Sequence, residues 1–227
     1  ATNTVDVNNN AGWNFGSTTH STFYWVGGSG NWSDVNNWSL SSGGSPSSCL
    51  PTALDNVVFD ANSFSAANQQ VTIDVHADVN DYTWTSGVQN NPKFYGSYNL
   101  SVRGDFDIQA QMYYQQWGYL YLHGSFTLNQ NMTWNHGQYT FFNAKSAGHT
   151  IDMQGKSFNN HVRFDGVGGE WTLASDFAVN NGLESQFYNG KFISNGKDCD
   201  FGYRLNAWFN SSNQSFTWDF TGTQSLK

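Results

Sequence analysis

Apolar and polar residues alternate with high regularity along Asn99–Leu128. Leu100, Val102, Gly104, Phe106 and Ile108 alternate with polar neighbours, and twenty positions on Leu120, Leu122, Gly124, Phe126 and Leu128 repeat the order. Period two is the signature of a strand with one buried face. A fixed offset between two such strands lays the inward set of one over that of the next, as in a stacked solenoid. Kept more loosely, the template predicts strands at Val57–Phe59, at Val71, Ile73 and Val75, and at Tyr82, Trp84, Ser86 and Val88. Further on it predicts Thr140–Ala144, Ile151–Gly155, Trp171–Val179, Phe192–Gly196 and Trp218–Leu226. The regular Leu and Asn spacing of leucine-rich repeats is missing. The pattern therefore predicts an all-β chain, a right-handed parallel β-helix of roughly eight rungs about 4.8 Å apart. An antiparallel β-sandwich or jelly roll is the alternative, with hairpins at Ala147-Gly148, Asn181-Gly182 or Asn195-Gly196.

Three stretches organise the chain. Residues 1–22 read as a short strand (Thr4, Val5, Val7) and an Asn-rich turn, with Trp13 and Phe15 placed to cover the end of a stack, or as the tail of a preceding module. Residues 23–50 form an aromatic, Gly-rich capping loop. Residues 51–227 carry the rungs, which are expected to continue into further ones.

Composition fits strands and turns. Charged residues are only 11% of the 227, Pro is scarce and Gly abundant, yet mean hydropathy is −0.55, so Asn, Ser, Thr and Gln supply the polarity. Gly and Asn are the residues that fill tight corners. An aromatic content of 17% with regular alternation argues against disorder. A net charge of −8 with only three arginines, Arg103, Arg163 and Arg204, argues against nucleic acid as a partner. No apolar run is long enough to span a bilayer, so membrane insertion is not expected. Cys49 and Cys199 are either a long-range disulfide or two separate thiols, and stacked rungs favour the latter.

The segment YWVGGSGNWSDVNNWS, followed by PTALDNVVFDANSF, resembles a module that recurs in very large surface proteins of Bacteroidetes-type bacteria. Gly166–Leu173, GVGGEWTL, is similar to another recurring segment of that family. The resemblance implies β-helical rungs in an exported, adhesin-type protein of the bacterial cell surface, often secreted by the type IX route. Neighbouring modules of the same chain would then be partners. It implies location and architecture better than activity, and the Tyr-rich middle departs from the family pattern.

The densest aromatic stretch is Met112–Phe142. If Leu120 and Leu122 point inward, Tyr119 and Tyr121 point outward, with Tyr113, Tyr114 and Trp117 just before them. Exposed rings flanked by amides suit an extracellular polysaccharide or cell-surface glycan, because rings cover the C–H faces of pyranoses while amides bond hydroxyls. The plainer reading is that these residues are good strand formers covering a sheet face. Acidic turns offer a calcium site, with Asp55, Asp60, Asp74 and Asp78 as ligands and Asp81, Asp105 and Asp107 nearby. No EF-hand or nonapeptide repeat accompanies them, and beyond calcium no cofactor is implied.

Catalysis finds little support. Glycoside hydrolysis needs two carboxylates across the bond, but the only glutamates are Glu170 and Glu184. Asp105 and Asp107 alternate on one strand and are expected to be exposed, without the burial that raises an acid's pKa. Arg103 is expected to pair with the adjacent Asp105. The six histidines have no ligand spacing, and no nucleophile elbow or Walker loop is present. Trp32 and Trp38 of the Gly-Asn-Trp-Ser loop are either exposed for recognition or buried as a cap over the first rung, the cap being favoured.

Overall fold

The computed structural model describes residues 20–207 and 215–227. The strand expected at Thr4–Val7, and Trp13 and Phe15, lie outside these residues. The described chain winds into a parallel β-solenoid of about seven turns. Each turn visits three faces in order. The first face stacks Thr22–Trp25, Asn56–Phe59, Tyr82–Trp84, Phe106–Ile108, Phe126–Thr127 and His149–Asp152. The second stacks Gly30–Asn31, Gln70–Ile73, Lys93–Gly96, Tyr113–Gln116 and Thr133–His136. The third stacks Ala77–Val79, Leu100–Val102, Leu120–Leu122 and Thr140–Phe142. Two longer strands, Val162–Leu173 and Glu184–Ile193, run from the third face onto the first, with a register shift between Phe164 and Glu170.

Parallel pairing excludes the sandwich. Among the strand pairs of the described residues, Thr22–Trp25 with Trp38–Ser39 is antiparallel, and the others are parallel. The offset of twenty holds where Leu100, Leu120 and Thr140 align, and where Phe94, Tyr114 and Trp134 align. Elsewhere the turns are longer: Tyr82 aligns with Phe106, and Phe126 with Ile151, the extra residues lying in corner loops.

What alternation presents as one strand from Leu100 to Ile108 is two strands on two faces, joined by a corner at Arg103–Asp105. The corner keeps the inward–outward alternation, so the sequence pattern runs through it unbroken. The repeated glycine marks this corner. A Cβ on Gly124 would lie 2.3 Å from the carbonyl oxygen of Gly104 one turn below, so only glycine fits there. Side-chain oxygens tie successive turns together at the same corner. Asn56 Oδ1 accepts from Asp81 N (3.3 Å), Asp81 Oδ1 from Asp105 N (2.9 Å), and Asp105 Oδ1 from Ser125 N (2.7 Å). Ser125 Oγ then accepts from Thr150 N at 3.3 Å. Corners lose strand hydrogen bonds, and this ladder replaces them.

Inward residues stack along the axis in columns set by the register. Phe94, Tyr114 and Trp134 form one column, with ring centroids 5.2 and 4.7 Å apart. Tyr82, Phe106 and Phe126 form a second at 5.0 and 5.1 Å, and Phe142, Phe164 and Phe187 a third at 4.7 and 4.9 Å. These buried rings form the centre of the apolar core whose burial drives folding.

The loop from Val26 to Ser39 closes the first-turn end. Trp25, Trp32 and Trp38 are buried, and Trp38 packs edge-on against both others at 5.1 and 4.6 Å. Their indole N–H groups are partly spent on the loop's own carbonyls: Trp25 Nε1 donates to Gly28 O (3.0 Å) and Trp38 Nε1 to Trp32 O (2.9 Å). Trp32 and Trp38 are therefore a cap and offer no recognition surface. Cys49 is exposed and Cys199 buried, and they are separate thiols. Burial pushes the Cys199 thiol up to about 12, with Asp198 and Asp176 adding to the effect.

Candidate functional site

The corner between the second and third faces builds the most distinctive outward surface. On successive turns it reads Gln116–Tyr119, His136–Tyr139 and Asn159–His161. Inward side chains brace it from within. Gln116 Nε2 donates to Tyr98 O (2.5 Å), and Asn160 Nδ2 donates to Gln138 O and to Thr140 Oγ1. The His136 ring contacts Gln116 O at 3.0 Å and Tyr139 O at 3.3 Å. Burial lowers His136 to about 4 against the opposing pull of these two carbonyls. Backbone N–H groups are met from neighbouring turns: Tyr119 N donates to Asn99 Oδ1 (2.9 Å) and Glu184 N to His161 Nδ1 (3.1 Å). The latter bond makes Nδ1 of His161 the acceptor, so in the neutral ring Nε2 carries the proton.

With the corner fixed, the alternate positions Tyr119, Tyr121, Tyr139, Phe141, His161 and Arg163 converge outward. Tyr121 stacks on Phe141 at 4.9 Å, Tyr139 on Phe141 at 5.6 Å, and His161 on Tyr139 at 5.0 Å. Tyr119 stands nearly perpendicular to Tyr121, Tyr139 and Phe141. Burial and then Tyr119 raise the Tyr121 hydroxyl above its ordinary pKa. Arg163 closes the strip, its guanidinium 4.5 Å from the Tyr188 ring and 5.5 Å from that of Phe141. At the near end the six-membered ring of Trp117 lies where a side chain on Gly137 would stand, within 1.8 Å of its would-be Cβ. Gly137 thus lets the indole lie against the next turn, while Trp117 remains 39% exposed and Tyr119 40% exposed.

The expected row of five is divided by the corner. Tyr113 faces outward on the second face between Lys93 and Thr133, Trp117 sits at the corner, and Tyr119 and Tyr121 lie on the third face. Tyr114 does not belong to any surface. It is wholly buried, stacked between Phe94 and Trp134, and burial raises its hydroxyl far above the ordinary value. In a strand Tyr113 and Tyr114 must point to opposite sides. Tyr139, Phe141, His161, Arg163 and Tyr188 were missed by reading along the strand. Applying the offset of twenty to Tyr119 and Tyr121 would have found Tyr139 and Phe141.

The four aspartates expected to bind calcium are dispersed, each engaged locally. Asp55 accepts from Thr52 N, Thr52 Oγ1 and Ser21 N; Asp60 accepts from Asn62 N; Asp74 accepts from Ser33 N and Oγ. Asp78 forms a bidentate pair with Arg103 at 2.8 and 2.6 Å, so Arg103 pairs across a turn rather than with Asp105. Among the described residues no group of three His, Cys, Asp or Glu side chains gathers in metal-binding geometry.

Asp81, Asp105 and Asp107, with Thr83, Gln109 and Thr127, line an open groove on the first face. Contrary to the expectation of free exposure, Asp107 is half-buried. Burial and then the Asp105 charge raise its carboxyl above the usual range, while Gln109 Nε2 donates to it at 2.6 Å and opposes the shift.

Acidic side chains dominate the outer side of the first face and its corner, with Asp55, Asp81, Asp105, Asp107, Asp152 and Asp219. The three arginines stand on or beside the third together with Asp78 and Glu184. Fold and surface together define a parallel β-solenoid bearing an aromatic strip along one face. Comparison with known proteins finds no matching family model, no matching curated protein and no matching solved structure.

Proposed function

We propose that the chain is a non-enzymatic module of a bacterial cell-surface protein, a stiff adhesion segment that contacts carbohydrate through the aromatic strip of the third face. One observation carries the reading: Tyr119, Tyr121, Tyr139 and Phe141 converge on the outer side of the third face, with Trp117 at the adjoining corner. Aromatic rings gathered on the outer side of a protein that already buries a full core suit an interaction site, and Trp117 and Tyr119 are the most exposed of them. Gln138, exposed at the corner beside Tyr139, adds a hydrogen-bonding amide to the rings, the mixture that sugars require. The extracellular location and the neighbouring modules follow from the resemblance of the YWVGGSGNWSD and PTALDNVVFDANSF segments. The engagement of Asp55, Asp60, Asp74 and Asp78 in local bonds favours a binding role without calcium.

Affinity electrophoresis through gels containing soluble glycans tests the reading. The Trp117→Ala/Tyr119→Ala variant should lose retardation with only a modest drop in melting temperature, because neither side chain lies in the core. Tyr114→Phe should keep full retardation, since Tyr114 lies in the core. Retardation of the double variant equal to that of the parent would sink the aromatic strip as the contact. A spacer without ligand is the second reading. It is favoured by the cross-strand stacking of Tyr121 on Phe141 at 4.9 Å, a contact that stabilises the sheet without any ligand.

A further inference from the structure

We infer that the third face selects an anionic polysaccharide, one bearing carboxylate or sulfate groups, and that Arg163 is the contact for the anion. The inference rests on the carbohydrate reading above and names the class of glycan.

The three arginines of this acidic chain all lie on or beside the third face, but they are not equivalent. Arg103 is closed by Asp78 at 2.6 Å and Arg204 approaches Glu184 at 3.5 Å. Arg163 has no acidic partner among the described residues, and the groups it touches are neutral. Its Nε donates to Gln186 Oε1 at 3.0 Å and its Nη2 to the Tyr188 hydroxyl at 3.4 Å. Gln186 is in turn tied to Glu184 through its own Nε2 at 3.4 Å. Asp165, at the bend that follows, accepts from Asn189 Nδ2 at 2.8 Å.

Asp78 and Glu184 meet the other two arginines, whereas among the described residues no salt bridge reaches Arg163. The guanidinium is also oriented in advance. Tyr188 and Phe141 hold its plane, two of its five N–H groups are used to fix it, and the others remain for a ligand. A planar fork of this kind matches the two oxygens of a carboxylate or sulfate. His161, two residues earlier on the same outward side, offers Nε2–H beside it, its Nδ1 being occupied by Glu184 N. Phe141 and Tyr121, at the matching positions one and two turns from Arg163, continue the strip along the solenoid axis. Rungs about 4.8 Å apart step along that axis by roughly the length of a pyranose ring. A polysaccharide lying parallel to the axis would place a sugar on the rings and an acidic substituent at Arg163.

The test compares retardation of the full chain on polygalacturonate, dextran sulfate and a neutral cellulose ether at low and physiological salt. Arg163→Gln is set beside Arg103→Gln, which changes net charge equally. The expected result is retardation on one or both anionic polymers, weakened about tenfold by Arg163→Gln and little changed by Arg103→Gln. Polygalacturonate alone would identify the anion as carboxylate, and dextran sulfate alone as sulfate ester. Equal weakening by the two variants overturns the inference, because bulk charge then accounts for binding. Retardation on the neutral polymer alone, unaffected by Arg163→Gln, overturns it while leaving the aromatic strip as a carbohydrate contact. Loss of that retardation in Trp117→Ala/Tyr119→Ala would confirm the strip in that case. Retardation on none of the three overturns the inference together with the carbohydrate reading.

Discussion

His136 lies wholly inside the wall of the solenoid, where no charge is welcome, yet it touches two carbonyl oxygens that would each accept a proton-bearing nitrogen. Desolvation wins and holds its pKa near 4, against about 6.5 in an unfolded chain. Between those values the unfolded chain takes up a proton that the folded one refuses. The contribution of His136 to stability is therefore complete above about pH 6.5 and lost as pH falls toward 4, by about 3 kcal/mol. Urea unfolding at pH 7.5 and 4.5 checks this. His136→Gln should show a smaller difference between the two pH values than the parent, and an unchanged difference would remove His136 as the cause. Tyr114 makes a related point about reading residues singly. Its neighbour Tyr113 is outward and it is not, and only the parity set by Leu120 and Leu122 tells them apart.

At the scale of elements, the corner ladder of Asn56, Asp81, Asp105, Ser125 and Thr150 turns exposed polar residues into structural ones. Asp105→Ala should cost about 1 kcal/mol, since it strands the Ser125 N–H at a partly wetted corner. Asp105→Asn keeps an acceptor oxygen and should recover most of that loss. Thermal melts of the pair separate a hydrogen bond from a charge effect, and equal losses would assign the effect to charge. The ladder also explains what the sequence could and could not reveal. Alternation from Leu100 to Ile108 was legible because Leu100, Val102, Phe106 and Ile108 all point inward and fill the core. The corner at Gly104 was not legible, since it preserves that parity. An aspartate in a turn looks the same whether it caps an amide or ligates calcium, so Asp55, Asp60, Asp74 and Asp78 could not be sorted without their partners. The aromatic strip was half legible. Tyr119 and Tyr121 stand out along the strand, whereas Tyr139, Phe141 and Arg163 are neighbours only across turns.

For the whole molecule, each turn is held mainly by the turns above and below it, so stability varies along the axis. Arg204–Ala207 and Phe216–Asp219 pair, among the described strands, only with Glu184–Ile193. Trp218 and Phe220 beside them are only partly covered. Leu100–Val102 and Leu120–Leu122, by contrast, have partners on both sides. Hydrogen exchange followed by mass spectrometry should find the former amides exchanging much faster than the latter, and uniform protection would contradict a stack of nearest-neighbour contacts. The excess of carboxylates on the first face relative to the third, where the arginines stand, has one more consequence. It gives the solenoid an electric dipole across its width, perpendicular to the axis. Near a negatively charged polymer or surface that dipole feels a torque, which acts within roughly one Debye length of about 8 Å at physiological salt. The molecule would roll about its long axis until the arginines lead, so the aromatic strip arrives already facing what it meets.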